Sequence, residues 1–125
     1  MRIALAALLI ALPLTAAADR SYNAEKTVTH DCAKEPAVSV NVAGGTYTFT
    51  GPCTKISING SDNKFKIDSV EKLAINGSKN AVDVDAADKI AVTGSENTVN
   101  YKRGVTAKAP KVASLGAGNK LNQVK

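Results

Sequence analysis

The chain of 125 residues has no tryptophan, one histidine, one methionine and two cysteines, and only 4% of it is aromatic. Each scarcity closes off a class of function. With His30 as the lone imidazole, the commonest general base is almost absent, and no GxSxG nucleophile motif occurs. One histidine beside one cysteine gives too few ligands for a structural zinc site. No aromatic residue interleaves with the column of Lys55, Lys72 and Lys89, so the stacking platforms needed there by single-stranded nucleic acid are missing. The nine-residue Gly and Asp period of calcium-binding solenoids is missing too. No cofactor is expected.

One apolar run is present, and it stands at the start. MRIALAALLIALPLTAAA, residues 1–18, has an early basic residue, Arg2, then an apolar stretch, then small residues. That order is a secretory signal peptide, with cleavage expected after Ala18. A retained membrane anchor is the weaker alternative, because the run is short for a span of about 20 residues and Pro13 interrupts it. No cysteine lies near the cleavage site to carry a lipid. A periplasmic or secreted protein without a membrane span is therefore expected. The mature chain of 107 residues (125 minus 18) suffices for one domain. Without Arg2 it carries 15 basic (16 minus 1) and 11 acidic residues, a net charge of +4 too dispersed to imply nucleic acid by itself. Cys32 and Cys53 both fall in the exported part, where an even count favours a disulfide over free thiols or a metal site using His30. Closing that loop of about 20 residues stabilises by roughly 3 kcal/mol in the chain-entropy model.

The body of the sequence repeats itself. ISINGSDNKFKIDSVEK (56–72) is followed by LAINGSKNAVDVDAADK (73–89) and then by IAVTGSENTVNYKRG from Ile90. Gly60, Gly77 and Gly94 recur at intervals of 17, as do Ser61, Ser78 and Ser95, and Asn63, Asn80 and Asn97. A degraded copy precedes them (38–50, offset 18), and another follows (112–124) after an insertion containing Pro110. Clear central copies with degraded ends are how repeat arrays finish. Within each unit apolar residues alternate, which excludes helix and puts Ile56, Ile58, Phe65 and Ile67 on one face. Leu73, Ile75, Val82 and Val84 follow in the next unit, and Ile90, Val92, Val99 and Tyr101 in the third. Val70, Ala87 and Cys53 share one further apolar position.

An antiparallel meander could use this alternation, with each NGSxN as a hairpin loop. A meander, however, does not require the same side chains in every hairpin, whereas stacked coils require the same turn and the same inward residues at each level. The Asn column adds to this, since stacked Asn side chains hydrogen-bond to one another. The expected fold is all-β: a small single-domain parallel β-solenoid of about four 17-residue coils over 38–125, preceded by an N-terminal segment and cap over 19–37. It is taken as right-handed from the general rule for parallel crossovers.

Outward positions form columns of their own. Lys55, Lys72 and Lys89 would make a basic ridge able to hold an anionic polymer, unless flanking Glu71 and Asp88 neutralise it and the lysines serve only solubility. Asp68, Asp83 and Asp85 could suggest calcium or a glycosidase pair, but pairs of Lys66 with Asp83 and of Asp85 with Lys102 account for most of that charge. Asn59-Gly60-Ser61 and Asn76-Gly77-Ser78 fit the glycosylation sequon, yet Asn-Gly is what a tight turn demands. The basic excursion after Tyr101, with Lys108 and Lys111, reads as a guard for an open strand edge or as a binding loop.

The succession Cys32, VSVN, Gly-rich turn, TYTFTGPC, then GSDN, GSKN and GSEN each followed by a strand, closing with NTVNYKRG, resembles the bacterial exported proteins of domain-of-unknown-function family 3060. The resemblance covers roughly residues 30–124. The first turn, Val42-Ala43-Gly44-Gly45, and the last, Gly116-Ala117-Gly118-Asn119, depart from its motif. It implies the fold and the compartment, and no activity. The functional expectation is a non-catalytic envelope or extracellular structural or binding module, its partner an anionic envelope polymer or an envelope protein. A polysaccharide-active enzyme, by analogy with larger solenoids, is the alternative from another class.

Overall fold

A computed structural model describes residues 19–124. The expected signal peptide, residues 1–18, lies outside the described residues. Nine strands and no helix make up the described chain: β1 (Asp19–Tyr22), β2 (Thr27–Asp31), β3 (Ala37–Val40), β4 (Thr46–Ser61), β5 (Lys64–Ser78), β6 (Ala81–Ser95), β7 (Thr98–Arg103), β8 (Lys111–Leu115) and β9 (Lys120–Gln123). Every pairing is parallel, in the order β1-β3-β4-β5-β6-β7-β9, with β2 on β4 and β8 on β6. This is a β-solenoid, and the meander is set aside.

The long strands turn corners. In β4, Thr46–Thr50 pairs with β2 while Lys55–Ile58 pairs with β3, so one strand serves two faces. Its bend falls at Gly51 and Pro52, where φ of Gly51 is +77° and the register shifts. The solenoid makes about five turns rather than the four expected. The difference lies in residues 19–37, read as segment and cap, because β1 and β2 stack in register on β3 and β4 as a further turn. Little in DRSY and TVTHD resembles the later copies, which is why the repeat does not reveal it.

The inward residues fill the bore. Ile56, Leu73 and Ile90 are paired directly across levels, as are Ile58, Ile75 and Val92, and all six are buried. The N-terminal half is aromatic: Tyr47 stacks on Phe65 at 5.1 Å between ring centroids, and His30 meets Phe49 edge-on. Buried His30 sits between the Tyr22 hydroxyl, 2.7 Å from Nδ1, and the Glu35 carbonyl, 2.8 Å from Nε2. Because a carbonyl only accepts, Nε2 carries the proton and the Tyr22 hydroxyl donates to Nδ1. Cys32 and Cys53 form the expected disulfide at a Cα separation of 4.9 Å, with both residues buried.

The GSxN corner explains the motif. A Cβ built on Gly77 would lie 1.7 Å from the Gly60 carbonyl oxygen, and one on Gly94 equally close to that of Gly77. Only glycine lets successive coils approach so closely. The variable x residue is left-handed at every clear copy, with φ of 58°, 57° and 56° at Asp62, Lys79 and Glu96. In the end turns glycine takes that place, as Gly44 and Gly118. Asn63, Asn80 and Asn97 then point inward, fully buried, and form a ladder. Asn80 donates from Nδ2 to the Gly60 carbonyl (3.0 Å) and to Asn97 Oδ1 (3.0 Å). Its own Oδ1 accepts from the Asn63 backbone N–H (3.2 Å) and Nδ2 (3.1 Å). The ladder gains a fourth rung in Asn119, which accepts from Asn97 at 3.1 Å.

Candidate functional site

The second halves of β4, β5 and β6, together with β3 and β8, form one flat face. Its outward residues fall into columns along the axis because the pairing is in register. Lys55 is opposite Lys72, Lys72 opposite Lys89, and Lys89 opposite Lys111. The column therefore holds four lysines, one more than the period revealed. Lys111 follows Lys89 by 22 residues, since the excursion at 104–110 lengthens the interval and hides it from a 17-residue scan. All four are exposed. Levels are about 4.8 Å apart, so unit charges at that spacing repel by about 1 kcal/mol per neighbouring pair even in water. An anion laid along the column relieves that repulsion.

Glu71 and Asp88, the flanking carboxylates, line a surface depression together with Lys55, Lys72 and Lys89 but form no ion pair with them within 4.0 Å. Among the described residues the one ion pair within 4.0 Å is Lys102 with Asp85 (3.7 Å), on the other face. Asp88 is turned to the excursion, where Oδ1 accepts from the N–H groups of Val105 (2.8 Å) and Thr106 (3.0 Å). Glu71 remains exposed in the same outer column. The excursion is thus held at the side of its coil, and Gln123 Nε2 adds a contact to the Lys108 carbonyl (3.1 and 3.3 Å for its two acceptors, Lys102 and Lys108). Among the described residues the outer edges of β8 and β9 have no strand partner, and these two strands carry Lys111 and Lys120.

Beside the lysines runs a column of small residues, Ser39, Ser57, Ala74, Ala91 and Ala113. It leaves a shallow groove of roughly 200 Å³ lined by Lys72, Lys89, Ala91, Lys111 and Ala113. Beyond it is an exposed column of Asn41, Asn59 and Asn76, whose amides are linked in series: Asn59 Nδ2 donates to Asn41 Oδ1 (3.1 Å) and Asn76 Nδ2 to Asn59 Oδ1 (3.4 Å). The sequence marks Asn59 and Asn76 as turn or sequon residues and does not single out Asn41.

The acidic residues of the other face are engaged separately. Asp68 accepts from the Gly51 N–H (3.2 Å) and Asp83 from Asn100 Nδ2 (3.0 Å). The expected Lys66 to Asp83 pair does not form within 4.0 Å, and Asp83 Oδ1 accepts from Asn100 instead, whereas the expected Asp85 to Lys102 pair does form. No group of three or more His, Cys, Asp or Glu that could hold a metal ion occurs among the described residues.

Residues 40–81 and 70–118 match, as two overlapping stretches, the model of a family described as "Protein of unknown function (DUF3060)". The chain belongs to this family. Two overlapping DUF3060 matches are what stacked copies of one unit produce, the first running over β4 and all of β5 and the second from β5 into the last coil. No curated protein and no solved structure matches the chain. DUF3060 membership carries the repeat and leaves the activity to be argued from the surface. Among the described residues no helix is long and apolar enough to cross a membrane.

Proposed function

We propose that this DUF3060 chain is an exported, non-catalytic binding module whose lysine column holds an anionic polymer lying along the solenoid axis. The observation that supports it is the column itself: four in-register ammonium groups, each at one level, with no ion pair within 4.0 Å to any of them among the described residues. Export is supported by the disulfide and by the N-terminal signal pattern. A rigid, disulfide-tied stack keeps the charges aligned without ordering them anew on binding, which limits the entropic cost of association.

Retention on a carboxylated or sulfated matrix tests this. With about four charges neutralised and a slope of roughly −0.7 per charge, affinity falls about 50-fold between 50 and 200 mM salt. Changing Lys55, Lys72, Lys89 and Lys111 together to Ala should abolish most of the retention. Retention that ignores both salt and the four substitutions would show the column to be a solubilising surface only.

A further inference from the structure

We propose that the polymer is an acidic polysaccharide, bound with its anionic groups on the lysine column and its hydroxyls on the exposed asparagine column. This rests on the charge-binding role proposed above for the same lysines. The argument comes from what stands beside them. Asn41 Nδ2 donates to Asn23 Oδ1 (2.9 Å), Asn59 to Asn41, and Asn76 to Asn59, so each amide spends one N–H on the ladder. An Asn amide has two N–H protons and two lone pairs on its oxygen. Asn41 and Asn59 therefore each keep one donor and one lone pair free, and Asn76 one donor and both lone pairs, held in orientation by the ladder. A neutral donor and acceptor side by side suit a hydroxyl, which both gives and accepts; a phosphate only accepts and leaves the amide oxygen unmatched.

The rest of the face agrees. Its floor is Ser and Ala, so a ribbon of sugar rings can lie close to the sheet between the two columns. The face has no aromatic side chain, since Tyr22, Tyr47, Phe49 and Phe65 are buried in the bore and Tyr101, on β7, packs against the same core. Bases therefore have nothing to stack on, which disfavours single-stranded nucleic acid. Ammonium and amide stand together at two successive levels, Lys55 with Asn59 and Lys72 with Asn76, and Lys89 stands level with the Thr93 hydroxyl; levels are about 4.8 Å apart, a spacing close to the length of one sugar ring. DNA and polyphosphate provide charge at intervals but lack a hydroxyl row beside it, and RNA, which has one, needs the stacking platforms that this face lacks.

The experiment compares polygalacturonate with polyphosphate and an oligothymidylate of equal charge, at one salt concentration, by titration against the full chain. Polygalacturonate should bind at least tenfold more tightly than either. The variant with Asn41, Asn59 and Asn76 changed to Ala should lose about tenfold for polygalacturonate and nothing for polyphosphate. Thr93→Asn extends the amide column by one level and should tighten polygalacturonate severalfold, which keeps the test open should the triple variant fold poorly. Equal binding of all three polymers, unchanged by either asparagine variant, overturns the polysaccharide assignment while leaving the lysine column as a general anion binder. Binding of polygalacturonate that survives loss of the four lysines overturns both.

Discussion

Substituting Asn80 by Ala removes four hydrogen bonds at the centre of the buried ladder. Nδ2 no longer donates to the Gly60 carbonyl or to Asn97, and Oδ1 no longer accepts from the Asn63 N–H and amide. The effects differ among the partners. Asn63 Nδ2 retains the Val42 carbonyl at 2.7 Å, and Asn97 Oδ1 retains the Asn80 N–H at 3.1 Å. The Asn63 N–H and the Gly60 carbonyl lose the partner that Asn80 supplied, in a site where Asn63 is 1% exposed. At about 1–2 kcal/mol for each orphaned backbone group, the cost is about 3 kcal/mol. For a domain of this size that lowers Tm by about 15 °C. Urea denaturation followed by far-UV circular dichroism should show the midpoint falling with m unchanged. Asn59→Ala is the internal control, because it removes an equally spaced asparagine from the exposed column and should cost less than about 0.5 kcal/mol. A loss below 1 kcal/mol for Asn80→Ala, or equal losses for the two variants, would refute the ladder as a source of stability.

Gly77→Ala should destabilise by about 3 kcal/mol or more, because the new Cβ meets the Gly60 carbonyl, whereas Gly44→Ala, with nothing within 4 Å, should cost only the roughly 1 kcal/mol of a left-handed backbone; paired melts decide it, and equal costs would exclude the close approach as the cause. Reduction of Cys32–Cys53, separated by 21 residues, should lower unfolding free energy by about 3 kcal/mol in denaturant titrations with and without reductant. Burial raises the pKa of the Tyr22 and Tyr47 phenols, so the folded state favours their neutral form. That contribution is complete below the ordinary tyrosine value of about 10 and is lost as pH rises through the folded-state values. Stability measured across the alkaline range should therefore fall above about pH 10, and Tyr22→Phe should reduce that dependence. A flat alkaline profile would contradict the burial argument.

Much of the fold was legible because stacking leaves a periodic record. The 17-residue interval placed Ile56, Leu73 and Ile90 in one column and Asn63, Asn80 and Asn97 in another, and the pairing puts them there. The ends were harder to read for a physical reason. A terminal coil has a neighbour on one side only, so fewer of its side chains are constrained to match, and β1 and β2 retain the register without the motif. The insertion at 104–110 shifted Lys111 and Asn119 out of period while the backbone kept them in column. Ion pairing was the least legible feature. Asp83 had two adjoining partners available from sequence, Lys66 and Asn100, and only the three-dimensional arrangement gives it to Asn100.

The lysine face can be tested residue by residue in solution. Backbone amide shifts of the labelled chain, followed by NMR as polygalacturonate is added, should move in the rows of Lys55, Lys72, Lys89 and Lys111 and of Asn59 and Asn76. The opposite face, with Lys64, Lys66 and Lys102, should stay still. Shifts centred on that opposite face, or no shifts at polymer concentrations that saturate retention, would contradict the assignment of the site.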